Sequence, residues 1–113
     1  MAKFHNLKTT VAGQTFDSQK EATRFCELKL LERAGEISNL RTQVPFVLIP
    51  AQRGADGKVI EKAVTYKADF VYDKAGTQVV EDTKGYKGGN AYQVFSIKRK
   101  LMLKVHGIRV LET

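Results

Sequence analysis

The chain has one cysteine, Cys26, and two histidines, His5 and His106, spread over 113 residues. One thiol cannot close an internal disulfide, which agrees with a reducing compartment. The three side chains also make no recognisable zinc ligand set. No apolar run approaches the length of a membrane-spanning helix, and the first eight residues lack the apolar core of a secretion signal. A cytoplasmic protein without membrane contact is therefore expected. Proline occurs only at Pro45 and Pro50, and repeats, low-complexity tracts and linkers are missing. Acid is scarce in one region: from Lys84 onward seven Lys or Arg face Glu112 alone, whereas the first 83 residues carry twelve basic and eleven acidic residues.

What is present is an ordinary globular composition, 42% hydrophobic and 27% charged, with a formal net charge of +7. The length fits a single domain over residues 1–113, in which 1–15 form a mobile arm or a short hairpin about Ala12-Gly13-Gln14. The uneven basic charge points to an anionic polymer, because clustered Lys and Arg release counterions from nucleic acid. A solvated basic helix would carry the same charges. Ser18 and Glu21 have capping-box spacing, which starts a helix running to about Ala34 and stopped by Gly35, with Cys26 buried on it. Val44 to Ile49 reads as a strand between prolines, at a sheet edge or a strand limit. Ala51 to Lys58 reads as an exposed loop. Val59 to Tyr72 reads as a long strand or two collinear pieces, and Thr77 to Lys84 as its hairpin partner. Gly85 to Asn90 is then a basic loop, and Ala91 to His106 a second helix with Val94, Ile97, Leu101 and Val105 on one stripe. Ile108 to Leu111 reads as a last strand. The order helix, three strands, helix, strand predicts an α/β fold, a mixed sheet flanked by two helices.

Alternation along the paired strands places Asp82 and Lys84 on one face and Glu81 on the other. Asp69 shares its face with Lys67 and Val71, while Tyr66, Ala68, Phe70 and Tyr72 fill the opposite one. A four-residue loop, Asp73 to Gly76, would set Tyr72 across from Thr77 and Asp69 across from Val80. Asp82 would then be a diagonal neighbour of Asp69 at roughly 7 Å. Carboxylates that close suit Mg²⁺ or Mn²⁺, and a metal held by Asp69 and Asp82 would polarise a phosphodiester and activate a water. Lys84 would orient that water or stabilise charge developing on phosphorus. Asp82 and Lys84 would equally make an ordinary ion pair. Glu21 either caps its own helix or, in line with Phe25 and Leu28, faces the sheet and completes the site or binds a second ion. Lys98, on the Val94 and Val105 side of the second helix, reaches inward or snorkels past the core edge, with Arg99 on the polar side. Lys98, Arg99, Lys100, Lys104, Tyr86, Lys87 and Asn90 are the candidates for contact with a nucleic-acid backbone.

These residues resemble the PD-(D/E)XK nuclease superfamily in Asp69, the Asp82-Thr83-Lys84 triplet, the upstream Glu21 and the element order. The blocks Phe16 to Ala22, Tyr66 to Phe70, Val80 to Gly85 and Lys98 to Leu101 are together similar to a family of small phage-encoded proteins regarded as endonucleases. That family is similar to phage enzymes that resolve Holliday junctions. The resemblance covers nearly the whole chain; Ala68 departs from it, standing where the superfamily name has proline. It implies a restriction-endonuclease-like core, metal ligation by Asp69 and Asp82 with Glu21 as an acidic helper, a catalytic Lys84, and an extra polar residue at Lys98. It also implies a Mg²⁺-dependent endodeoxyribonuclease acting on branched DNA in phage recombination, in the host cytoplasm, as a homodimer with two active sites. The competing readings are a non-catalytic nucleic-acid-binding module and a phage protein that binds a host factor.

Overall fold

The computed structural model describes residues 8–84 and 87–113, so the expected contact at Tyr86 lies outside the described residues. The chain opens on a hairpin, β1 (Thr9–Val11) and β2 (Gln14–Phe16), whose two turn residues, Ala12 and Gly13, both have positive φ. Positive φ at both positions matches the twist of the flanking strands. The described part of this segment, from residue 8 on, takes the hairpin form. Helix α1 (Gln19–Arg33) begins where the Ser18 hydroxyl accepts from the Glu21 N–H at 3.1 Å. It ends in a Schellman motif, with Gly35 N–H donating to Glu32 C=O, Glu36 N–H to Leu31 C=O, and Gly35 at φ +82°. Ala22, Phe25 and Leu28 form its buried stripe, whereas Cys26 is exposed and not buried as expected. The stripe recurs at i+3 and i+6, and Cys26, one residue past Phe25, has turned out of it.

The main sheet has the order β3 (Ser38–Ile49), β6 (Val64–Lys74), β7 (Thr77–Asp82), β8 (Leu111–Glu112); the last pair is parallel and the others antiparallel. The edge position of β3 agrees with its proline. It starts six residues earlier than the sequence reading because Asn39 and Gln43, both at positive φ, let an irregular polar stretch stay paired. The segment read as a long strand or two collinear pieces is two strands in different sheets: β5 (Val59–Glu61) pairs with β4 (Gln52–Arg53) in a separate exposed ribbon, and only β6 enters the main sheet. The last strand is likewise displaced, to Leu111–Glu112, with Val110 buried just before it.

Helix α2 (Gly89–Leu101) runs into a π-helical turn over Met102–His106, closed by Gly107 at φ +70°. Its core side is Phe95 and Met102, with Tyr92 partly buried, while Val94, Ile97 and Val105 of the expected stripe are exposed. Both stripes are apolar; the aromatic one buries more area and wins the sheet. The sheet is covered on both faces. Phe70 and Tyr72 pack with Phe16, Ala22, Phe25 and Leu28, whereas Tyr66, Ala68, Val71 and Val80 pack with Phe95 and Met102. Strict alternation would put Ala68 and Phe70 together. It fails between them, at Asp69, across from the Gln43 kink.

Among the described residues, no helix is long and apolar enough to cross a membrane.

Candidate active site

Lys74 pairs with Thr77, Tyr72 with Val79 and Phe70 with Glu81, so the β6–β7 turn is the two-residue Ala75-Gly76, both at positive φ. The expected four-residue loop is thus corrected. Continuing this register by one residue puts Asp69 directly across from Asp82, not diagonal to it. The two carboxyls act directly on each other.

Glu21, Asp69, Asp82 and Lys84 all converge here. Asp82 is buried, and its Oδ2 lies 2.6 Å from Lys84 Nζ. That oxygen and the buried Tyr66 hydroxyl beside it nevertheless lack a hydrogen-bond partner among the described residues. The ion pair's contact is close, but its angles leave the oxygen's directional bonding unmet. Asp69 Oδ2 accepts from Thr83 N–H at 2.9 Å. Burial first, and then the Asp82 charge, push the Asp69 carboxyl up to about 8. Glu21 is raised as well, by its burial and then by Asp17 and Asp82, with Lys84 opposing. Burial first, and then the charges of Asp82 and Asp69, raise the Tyr66 phenol and keep it neutral.

Lys84 is tightly placed. Its N–H donates to Thr113 C=O at 3.3 Å, its C=O accepts from Lys20 Nζ at 2.7 Å, and its ammonium lies 4.1 Å from the centroid of Phe95. Thr113 N–H donates to Asp82 C=O at 2.9 Å, and the Thr83 and Thr113 hydroxyls are 2.9 Å apart. Glu81 faces the other way, as parity required. It takes two bonds from Arg24, at 2.8 and 2.7 Å, and one from the Tyr72 hydroxyl.

The three acids are not gathered into one ligand cluster: among the described residues, no three His, Cys, Asp or Glu side chains are grouped to hold a metal. Gln43 Nε2 stands between two of them, 3.2 Å from Glu21 Oε2 and 3.5 Å from Asp69 Oδ1. The carboxylates that could hold a divalent cation are Asp69 and Asp82, which act on each other, with Lys84 at the second.

The basic candidates separate. Arg99, not Lys98, is the inward cation: it donates to Glu112 at 2.9 Å and lies 5.9 Å from the Phe95 ring. Lys98 is half-buried beside the exposed Val94 and Ile97, because the stripe chosen as inward faces out. Lys87 lies 3.6 Å from Glu112 and, like Asn90, Lys100 and Lys104, is exposed. Gln43, Tyr66, Phe95 and Thr113 escaped sequence reasoning. Gln43 fell outside the strand, Tyr66 was put on the wrong face by unbroken alternation, and Phe95 lay off the favoured stripe.

Fold and site together define an α/β protein with a mixed sheet between two helices and an opposed acid pair with a lysine at the β6–β7 end. The chain belongs to the protein family DUF1064, described as a protein of unknown function, whose model matches residues 1–110. Neither the curated proteins nor the solved structures contain a significant match to it.

Proposed function

We propose that this protein is a Mg²⁺- or Mn²⁺-dependent endonuclease that hydrolyses DNA phosphodiester bonds on a restriction-endonuclease-like core. The observation that carries the reading is the meeting of the Asp69 and Asp82 carboxyls just past the last β6–β7 ladder pair, with Lys84 at 2.6 Å from Asp82. Asp69 and Asp82 would hold the ion, and Glu21 would act from the far side of Gln43 as an acidic helper. The ion would supply Lewis acidity at a phosphate oxygen and a lowered pKa for a bound water. Lys84 then offers its ammonium to the charge developing on the phosphoryl oxygens. Exposed Lys100 and Lys104, with Lys87, Lys98, Tyr86 and Asn90, would bind the DNA backbone; Arg99, held by Glu112, would contribute less.

Branched DNA is the preferred substrate, in phage DNA recombination within the host cytoplasm. Resolving a junction needs two cuts, hence a homodimer. Cleavage of a synthetic four-way junction beside its linear arms, with Mg²⁺ or with chelator, tests the activity. Sedimentation tests the dimer. Asp69→Ala and Lys84→Ala are expected to abolish cutting while DNA binding persists in a gel-shift assay. Binding without cleavage across metals and substrates would leave a nucleic-acid-binding module, and no salt-sensitive binding would favour a protein partner.

A further inference from the structure

We propose that Gln43 is a positioning residue of this site, its neutral amide setting the separation and orientation of the Glu21 and Asp69 carboxylates. The inference rests on the nuclease reading above and adds a residue to its machinery.

The backbone is the first observation. Gln43 has φ +53° inside a strand, between the ladder pairs Thr42↔Phe70 and Val44↔Ala68. A residue with a Cβ pays steric energy in this region. The other non-glycine residues at positive φ have local reasons. Ala12 and Ala75 each precede a glycine in a two-residue hairpin turn, and Asn39, a residue type that tolerates this conformation, sits at a register shift. Gln43 has neither reason. Backbone strain of this kind persists where the surroundings impose it, and it concentrates at functional sites.

The side chain is the second. A primary amide carries two N–H groups, and the Gln43 nitrogen reaches one carboxylate on α1 and one on β6, at 3.2 and 3.5 Å. Asp82 is served by Lys84 and Asp69 by Thr83 N–H, so Gln43 is the contact that ties Glu21 to the sheet. A lysine could bridge the same acids, but its charge would compete with a cation for Asp69. An amide does not.

The third observation is exposure. Gln43 is exposed and lines a polar cleft of about 240 Å³ with Gln14, Thr15, Asp17, Glu21 and Thr42. Core packing therefore does not explain its conformation. The alternation break at Asp69, directly across from it, aims that carboxylate beside Asp82.

The test uses two variants of the full chain that accept a left-handed backbone. Gln43→Gly deletes the bridge and relieves the strain. Gln43→Asn keeps an amide but is one methylene too short to span both acids. Mn²⁺ binding to DNA-free protein by titration calorimetry, thermal unfolding, and cleavage would be measured for each. Both variants should retain or raise the unfolding midpoint, weaken Mn²⁺ about ten- to a hundredfold and slow cleavage comparably, as loss of a ligand-orienting contact does. The KM for DNA should stay within about twofold, since no substrate-binding group is removed. Wild-type Mn²⁺ affinity and cleavage in Gln43→Gly would overturn the inference alone. A drop in unfolding midpoint with metal affinity unchanged would do the same, by making the role structural. Wild-type protein that neither binds Mn²⁺ nor cuts would overturn the nuclease reading, and this inference with it.

Discussion

Asp69 and its neighbours set the behaviour of this molecule with pH. The Asp69 carboxyl moves from 3.8 in the unfolded chain to about 8 in the metal-free fold, chiefly through burial and then through Asp82. Folding thus takes up a proton between those values. The associated stability is fully present below the unfolded value and is lost as pH rises through the folded one. Metal-free protein should melt at progressively lower temperature from about pH 4 to pH 8 and level off above, and Asp69→Asn should flatten that slope in differential scanning calorimetry. Saturating Mn²⁺ should reverse it, because ligation requires the carboxylate. Adjacent residues on β7 should behave oppositely. Glu81→Gln strips Arg24 and Tyr72 of a buried acceptor and should cost up to about 3 kcal/mol in urea unfolding, Arg24 being partly exposed, while the proposed cleavage survives. Asp82→Asn should abolish cleavage with little loss of stability. Parity along β7 was legible from sequence, since a period of two leaves no freedom over four residues. Parity along β6 was not, because the break at Asp69 lies across from Gln43, a residue at positive φ on another strand.

At the scale of elements, α1 was readable end to end. Its Ser18 cap and Gly35 stop are local interactions, which neighbours in sequence decide. Helix α2 was readable in extent and misread in orientation, since two apolar stripes share one cylinder and only the sheet selects between them. The selection gives a direct check. Phe95→Ala, removing a ring that touches Tyr66, Tyr92 and Lys84, should cost about 3–5 kcal/mol in chemical denaturation. Ile97→Ala, at a position 59% exposed, should change stability by about 0.5 kcal/mol or less. The β6–β7 turn shows the same limit from another side. Asp73 to Gly76 admits loops of two or four residues, and the choice shifts every cross-strand partner while leaving the inward and outward sets unchanged. The acid pair was therefore foreseeable, but its direct opposition was not.

For the whole molecule, the basic excess beyond Lys84 is the feature that sequence conveyed most completely, because charge is counted without knowing the fold. The structure distributes it: Arg99 is held by Glu112, Lys87 lies exposed at 3.6 Å from the same acid, and Lys98, Lys100 and Lys104 face a polyanion without it. Replacing those four lysines by glutamine should reduce the slope of log affinity for duplex DNA against log salt by about 3 to 4, measured by fluorescence anisotropy.

Residues 82 to 84 and residue 113 hold one another through two backbone bonds and a hydroxyl contact across thirty positions of sequence. Docking of β8 against β7 is therefore part of what fixes the backbone of the lysine. A chain emerging from the ribosome, or one clipped before Leu111, would carry both acids and the lysine without their working arrangement. The proposed chemistry therefore depends on β8 being docked, and not on β6 and β7 alone.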